Sequence, residues 1–442
     1  MDFACEKSNN IYSLSRSEIR NIQDTRLPQI VQYAYEHSTF YKELYDSVHI
    51  SPANIKTAGD LEKLPTISKK ELRLDIEANP IFGRMLAVPE REIVFTASSS
   101  GTCGRPMISP FTSQEFSEIV SVSKRFFEGF GITANDRYLH CLNLSLFVAS
   151  PAVISMQELG VMTLWGGVLP MDRIQHLLKE LQITVIQTTP SFAWKLGSWL
   201  KEHGSDPATE LWVRRVIVAG EPGGSIVPVR EAIEKLWGAK LCEVYGLSEI
   251  MGSIASSCPC HDGLHIAEDS VIVEVLETDS DCPVEEGKRG ELTYTALNKH
   301  GRPMIRYRSG DIGQIIPGKC GCGSEFTRVR VVGRVDNNMF IVSGVNVYPS
   351  DIRGVVAAIE GITNNMRIRL RSDGFTNHYV MEVEREKGCS IPSQELVTTV
   401  SDRLKRLILA RPKEVIVYPS GALEGTEQKT VFLIDERKKG RE

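Results

Sequence analysis

Val213-Arg-Arg-Val-Ile-Val-Ala-Gly-Glu-Pro222 reads as a short apolar strand running into a glycine turn. The residues that follow carry apolar side chains at helical spacing from Val227 to Trp237 and stop at Gly238, which predicts a helix over 227–237. Lys240-Leu-Cys-Glu-Val-Tyr245 then predicts another strand. Upstream the rhythm is the same, with a strand over 183–187 and a helix over 191–202 closed by Gly204. Strands and helices alternating at these lengths imply crossover connections and a largely parallel sheet. Ligands of such sheets bind beyond the carboxyl ends of the strands. Three short sequences fall at those ends: Thr189-Pro190-Ser191, Gly220-Glu221-Pro222 and Tyr245-Gly246-Leu247-Ser248-Glu249.

Toward the N-terminus, 26–73 is helical in pattern, with Leu27, Ile30, Val31, Ala34 and Tyr35 on one face. A strand-like run over 91–96 leads into Ser98-Ser-Ser-Gly-Thr-Cys-Gly-Arg-Pro106, and Thr112 with Glu115 forms a capping box beyond it. Small hydroxyl residues and glycines between a strand and a helix offer amide and hydroxyl donors suited to an anion. No Gly-Lys-Ser/Thr ends this loop, so it is not a Walker pattern, and alone it reads equally as a surface loop. The next helix aligns Phe116, Ile119, Val120, Ser123, Phe126, Phe127 and Phe130, a stripe read as core packing.

Toward the C-terminus the character changes. Strands over 271–276, 291–296 and 312–316 lack helices between them and predict a meander subdomain. After Asp336 the order is strand 339–342, helix 350–360, strands 366–371 and 378–384, helix 393–410 and strand 414–418. That β-α-β-β-α-β order is ferredoxin-like. The expectation is an α/β protein with a large domain over 1–335 and a small α+β domain over 336–442, hinged at Asp336.

The whole composition agrees with a globular chain of more than one domain: 442 residues, 42% hydrophobic and 24% charged. A formal net charge of -5 with no basic block argues against a non-specific nucleic-acid binder. No apolar stretch long enough for a membrane span and no leader pattern is seen, so a cytoplasmic setting is expected. Ten cysteines are too sparse for a disulfide scaffold. Cys258, Cys260, His261, His265, Cys320 and Cys322 nevertheless cluster in two short stretches and supply more ligands than a tetrahedral Zn²⁺ needs.

Together these pieces resemble the adenylate-forming superfamily of acyl-CoA synthetases, adenylation domains and luciferases, and most of all its phenylacetate–CoA ligase branch. The loop at 98–106 is similar to the family's Ser-Ser-Gly-Thr-Thr-Gly-Lys-Pro loop. By that resemblance Ser99, Ser100, Gly101, Thr102, Gly104 and Arg105 would hold the β- and γ-phosphates of ATP. Cys103 departs from the usual threonine, and Arg105 replaces lysine while keeping the charge. Gly220, Glu221 and Pro222 resemble the adenine-binding turn. Tyr245 and Gly246 would flank the adenine, Ser248 would contact the α-phosphate, and Glu249 would hold Mg²⁺. These are chemically apt types: an aromatic face, a hydroxyl donor and a carboxylate for a hard cation.

Tyr307-Arg-Ser-Gly-Asp311 is similar to the family's Tyr-Arg-Thr-Gly-Asp segment, which implies Asp311 as ribose ligand and Arg334 as a second ribose or phosphate contact. Asp336 falls at the family's hinge, and Gly344 lies in the loop that faces the site during thioester formation. Lys429, in Gly425-Thr-Glu-Gln-Lys429, matches the lysine that reaches the acyl carboxylate and α-phosphate; a cation there would ease the meeting of two anions. Branch members carry a Cys-x4-Gly-Leu-His-Ile segment followed by Cys-x-Cys. The resemblance therefore selects Cys258, His265, Cys320 and Cys322 for a structural zinc, with Cys260 or His261 as substitutes for His265. The family's acid pocket maps near Leu144, Phe147, Ser191, Phe192, Ile250 and Met251.

The implied reaction joins a carboxylic acid to coenzyme A through an acyl-adenylate, releasing AMP and pyrophosphate. The branch favours aromatic acids of benzoate, anthranilate or phenylacetate type. Val148-Ala149-Ser150-Pro151 replaces the tyrosine-containing glycine segment of phenylacetate enzymes, which points to an aryl acid of other shape. The alternatives are transfer to a carrier protein's phosphopantetheine arm and a non-catalytic nucleotide sensor. A homodimer is implied by resemblance alone.

Overall fold

The structure, a computed structural model, describes residues 13–98, 107–144, 149–335, 340–342, 345–347, 349–372, 377–408, 410–423 and 433–437. Its contacts divide the chain into two compact units. The first comprises Met1–Thr188, Trp212–Gly220 and Cys242–Val331; the second comprises Thr189–Leu211, Glu221–Leu241 and Val332–Glu442.

The strands are, in chain order, β1 (Ile67–Ser68), β2 (Ile93–Ser98), β3 (Ile108–Thr112), β4 (Arg137–His140), β5 (Met162–Trp165) and β6 (Val185–Thr188). Next come β7 (Arg215–Val218), β8 (Lys240–Tyr245), β9 (Ala255–Ser257), β10 (Leu264–Ile266), β11 (Val271–Leu276), β12 (Gly290–Ala296), β13 (Tyr307–Ile316) and β14 (Arg328–Arg334). The last are β15 (Phe340–Val342), β16 (Val345–Val347), β17 (Ile362–Ser372), β18 (Asn377–Arg385), β19 (Glu414–Tyr418) and β20 (Leu433–Asp435).

One large sheet runs β11-β12-β13-β14-β10-β9-β8-β7-β6-β4-β5, with β1 added in parallel to β13. Strands β5, β4, β6 and β7 pair in parallel, as alternation with helices requires. Strands β8 to β14 form the antiparallel half. The helix Val227–Trp237 has the expected bounds and ends at Gly238, whose φ of 60° takes the left-handed cap that a Cβ would disfavour. Helix Ser113–Gly129 opens on the expected Thr112–Glu115 capping box, and Glu115 also accepts from the Gly301 amide at 2.8 Å. Phe126, Phe127, Ile119 and Val120 of its apolar face are buried, all but Val120 in the main core with Tyr138, Val153 and Met156.

Two expectations need correction. The strand expected from Ile312 begins earlier, at Tyr307, so Ser309-Gly310-Asp311 lies within it. Ser309 Oγ donates to the Leu292 carbonyl at 2.6 Å, and the pairing slips between Glu291 and Thr293 to admit Gly310 at φ 75°. In the second unit, β15 pairs with β16 in a separate hairpin. The four-stranded sheet there is β19-β18-β17-β20, its last member lying beyond the strand expected at 414–418. A core of Ile352, Val356, Ile368, Tyr379, Met381, Leu396, Val400 and Leu404 joins that sheet to helices Pro349–Ala357 and Ser393–Ile408.

Candidate active site

In the first unit, the chain after β8 folds back on itself: Gly252 N donates to Leu247 O at 2.9 Å and Ile254 N to Tyr245 O at 2.8 Å. A Cβ on Gly246 would lie 1.2 Å from the Gly252 carbonyl oxygen, so this turn admits glycine only. In the fold-back Tyr245 is half-buried and Ser248 and Glu249 are buried. Tyr245 Oη donates to Asp311 Oδ2 at 2.7 Å, joining two residues 66 positions apart. Burial, with the Asp311 charge beside it, drives the Tyr245 phenol well above its usual range, so it stays a donor.

Glu249 is buried and pairs with Lys69 at 2.9 Å. Lys69 opens the helix Lys69–Ala78, and the pairing of β1 with β13 sets that helix start. Two further cations lie under β3, the strand that follows residues 99–106. Arg302 donates to Ile108 O at 3.1 Å and Ser109 Oγ at 3.0 Å; Lys299 donates to Pro110 O at 3.3 Å and sits 3.7 Å over the Phe111 ring. Burial pushes the Lys299 ammonium down to about 8 and the Arg302 guanidinium down to about 10. Lys69, Lys299 and Arg302 escaped sequence reasoning, because a charge in a polar stretch ordinarily stays in water. Ile250 and Met251 are buried and line a cavity of about 20 Å³ with Phe111, Glu115 and Lys299, room for one water rather than an acid. Leu144 packs against the main core.

Gly220, at φ 88°, ends the segment Trp212–Gly220 of the first unit. In the second unit, Glu221 is buried and accepts from the Ser191 amide at 2.7 Å, at the start of helix Pro190–Glu202, which also carries Phe192. Pro222 O accepts from buried Arg353 at 2.5 Å. Arg334 ends β14. Ser99, Ser100, Gly101, Thr102, Cys103, Gly104, Arg105, Phe147, Asp336, Gly344 and Lys429 lie outside the described residues.

A separate cluster lies between β9, β10 and the β13–β14 connection. The ligand atoms of Cys258, His265, Cys320 and Cys322 all fall within 4.8 Å of one another, and all four residues are buried. Cys258 Sγ and Cys320 Sγ are 3.6 Å apart, and Cys322 Sγ is 3.4 Å from His265 Nε2. A disulfide needs about 2.05 Å, whereas Zn–S bonds of about 2.3 Å in a tetrahedron give sulfur–sulfur edges near 3.8 Å. His265 Nδ1 lies 3.2 Å from the Phe326 carbonyl, a partner that favours the tautomer with the proton on Nδ1 and the lone pair on Nε2, the atom nearest Cys322 Sγ. A hydrogen bond from Cys258, with His265 beside it, holds the Cys322 thiol well below its usual range. This donor set fits a closed zinc site. Cys260 packs against the cluster but is not one of the four.

Residues 39–296 match the AMP-binding enzyme family, and residues 344–437 match the AMP-binding enzyme C-terminal domain. The chain is 30% identical to a phenylacetate-coenzyme A ligase of Thermus thermophilus over 87% of each protein. It is 26% identical to the phenylacetate-coenzyme A ligase of Escherichia coli over 98% of each. Among solved structures, 2-hydroxyisobutyryl-CoA ligase in its postadenylation state with 2-HIB-AMP aligns with a TM-score of 0.90 at 25% identity, covering 97% of this chain and 92% of that one. The same ligase with 2-HIB-AMP and CoA in the thioesterification state aligns at 0.71 and 26% identity, with the same coverage.

Proposed function

The chain belongs to the AMP-binding enzyme family and is an AMP-forming acyl-CoA ligase, and on that premise we propose that it activates an aromatic carboxylic acid at a nucleotide site built on Tyr245 and Asp311. The observation that carries this placement is the 2.7 Å bond between those two side chains. With Tyr245 held there, its ring offers a flat apolar face for adenine, and Asp311 is a carboxylate acceptor of the kind ribose hydroxyls need.

In the first step a carboxylate oxygen of the acid bonds to the α-phosphorus of ATP and the bond to the pyrophosphate oxygen breaks. In the second, the CoA sulfur bonds to the acyl carbon, its proton leaves, and AMP departs. Ser248 donates to the α-phosphate, and Lys429 offsets the charge that gathers as the two anions meet. Residues 99–106 hold the departing pyrophosphate. Glu249 is the carboxylate that would hold Mg²⁺, whose charge, when bound, neutralises phosphate oxygens. Until then Lys69 supplies the compensating charge. No side chain needs to be acylated. Asp336 is the proposed hinge between the halves of the cycle, and the cysteine–histidine cluster is the proposed structural zinc site.

The aromatic class is supported by the phenylacetate-coenzyme A ligases among the relatives. A second reading, a short branched hydroxy acid, is favoured by the 0.90 TM-score to 2-hydroxyisobutyryl-CoA ligase. One experiment separates them: incubate the protein with ATP, Mg²⁺, CoA and a panel of aryl and branched aliphatic acids, and follow AMP, pyrophosphate and thioester by mass spectrometry. An aryl acid turned over best supports the proposal; thioester from aliphatic acids alone sinks it. A carrier protein replacing CoA in the same assay tests the other acceptor.

A further inference from the structure

The bond between Tyr245 and Asp311 poses a geometric problem. In the large sheet, β8 and β13 are separated by β9, β10 and β14, which makes four strand spacings. At about 4.8 Å each they would lie about 19 Å apart on a flat sheet. A tyrosine and an aspartate cannot bridge that gap, so a 2.7 Å contact requires the sheet to curl sharply between them. Yet two of the strands that must carry the curl, β9 and β10, are the shortest of this half, at three residues each. Only two residue pairs join β8 to β9, three join β9 to β10, and two join β10 to β14, against six between β11 and β12. Ladders this short give the curl little resistance to opening.

The four converging ligands sit on this thin stretch. Cys258 directly follows β9, His265 is the middle residue of β10, and Cys320 and Cys322 belong to the connection between β13 and β14. Other contacts brace the same place: Arg328 on β14 donates to the Gly318 carbonyl at 2.8 Å and pairs with Asp262. We infer that a metal held by Cys258, His265, Cys320 and Cys322 clasps the two hairpins and sets the curl that brings Tyr245 against Asp311, so that metal occupancy controls nucleotide affinity. The clasp and the Tyr245–Asp311 bond close opposite ends of one loop of chain and sheet. Cys258 lies 13 residues after Tyr245, and Cys320 lies 9 residues after Asp311. Opening the clasp frees both arms to separate. The inference rests on the proposed nucleotide site, but its first readout does not.

The test compares wild-type protein, wild-type protein stripped by a chelator, and the variants Cys322→Ser and His265→Asn. Metal content is measured by mass spectrometry, amide hydrogen exchange in 240–250 and 307–315 by peptide mapping, and ATP affinity by calorimetry. Wild-type protein should carry one equivalent of zinc. Stripped protein and variants should exchange faster in both segments while 137–140 and 185–188 keep their protection. ATP should bind about tenfold more weakly, the loss of roughly one hydrogen bond to a charged acceptor. Added Zn²⁺ should restore the stripped protein and not the variants. Protein that binds no zinc, or that loses it with both segments equally protected, overturns the inference. Wild-type protein that carries zinc but binds no ATP overturns the nucleotide site instead, and the exchange data then decide the clasp alone.

Discussion

Replacing Lys69 with methionine removes the cation beside Glu249 and keeps most of the side-chain volume. The Glu249 side chain is 5% exposed and that of Lys69 is 30% exposed, with 2.9 Å between the charged atoms. At an effective dielectric of about 20 the gross attraction over that distance is about 6 kcal/mol. Desolvation of the carboxylate and the partial exposure of Lys69 leave a net loss of about 2 kcal/mol when the cation alone is removed. In a protein of this size that is a fall in Tm of roughly 2 °C. The account adds a condition: with saturating Mg·ATP the metal neutralises Glu249, so the penalty should shrink by at least half. Differential scanning fluorimetry of wild type and Lys69→Met, with and without Mg·ATP, reads both numbers. Equal destabilisation in the two conditions would show that Glu249 is not the metal carboxylate.

Tyr245→Phe keeps the ring and removes the hydroxyl from Asp311, so calorimetry should show ATP binding weakened about tenfold, as for one lost bond to a charged group. The KM for the acid should stay put; unchanged ATP affinity would place the nucleotide elsewhere. Lys299, pushed down to about 8 from 10.5 by burial, gives up its proton in the folded state while the unfolded chain keeps it. Its contribution to stability therefore rises across that window by about 1.4 kcal/mol per pH unit. Urea denaturation at pH 8 and pH 10 should show a rise in wild type that Lys299→Met lacks. Lys429→Ala should abolish adenylate formation and still convert a supplied acyl-adenylate to thioester; equal loss of both steps in folded protein would remove the role given to Lys429.

The helix Val227–Trp237 and strands β8, β11 and β19 have the bounds that periodicity and turn residues predict, because each is set by its own apolar spacing and a local stop such as Gly238. Features set by distant chain were not legible. Ser309-Gly310-Asp311 has the composition of a turn, and only pairing with β12 makes it a strand. Lys69, Lys299 and Arg302 sit in polar stretches, and the partners that hold them, β3 and Glu249, are far away in sequence. The six cysteine and histidine candidates were plain from residue type. Which four converge depends on β10 pairing with both β9 and β14, which points His265 rather than His261 at the sulfurs.

Exchange of labelled pyrophosphate into ATP, without CoA, tests the central claim most directly, because it reports a reversible acyl-adenylate and nothing later. The account predicts exchange that depends on the acid, persists without CoA and is lost in Asp311→Ala. Thioester formed with no such exchange, or with ADP and phosphate as products, would contradict it.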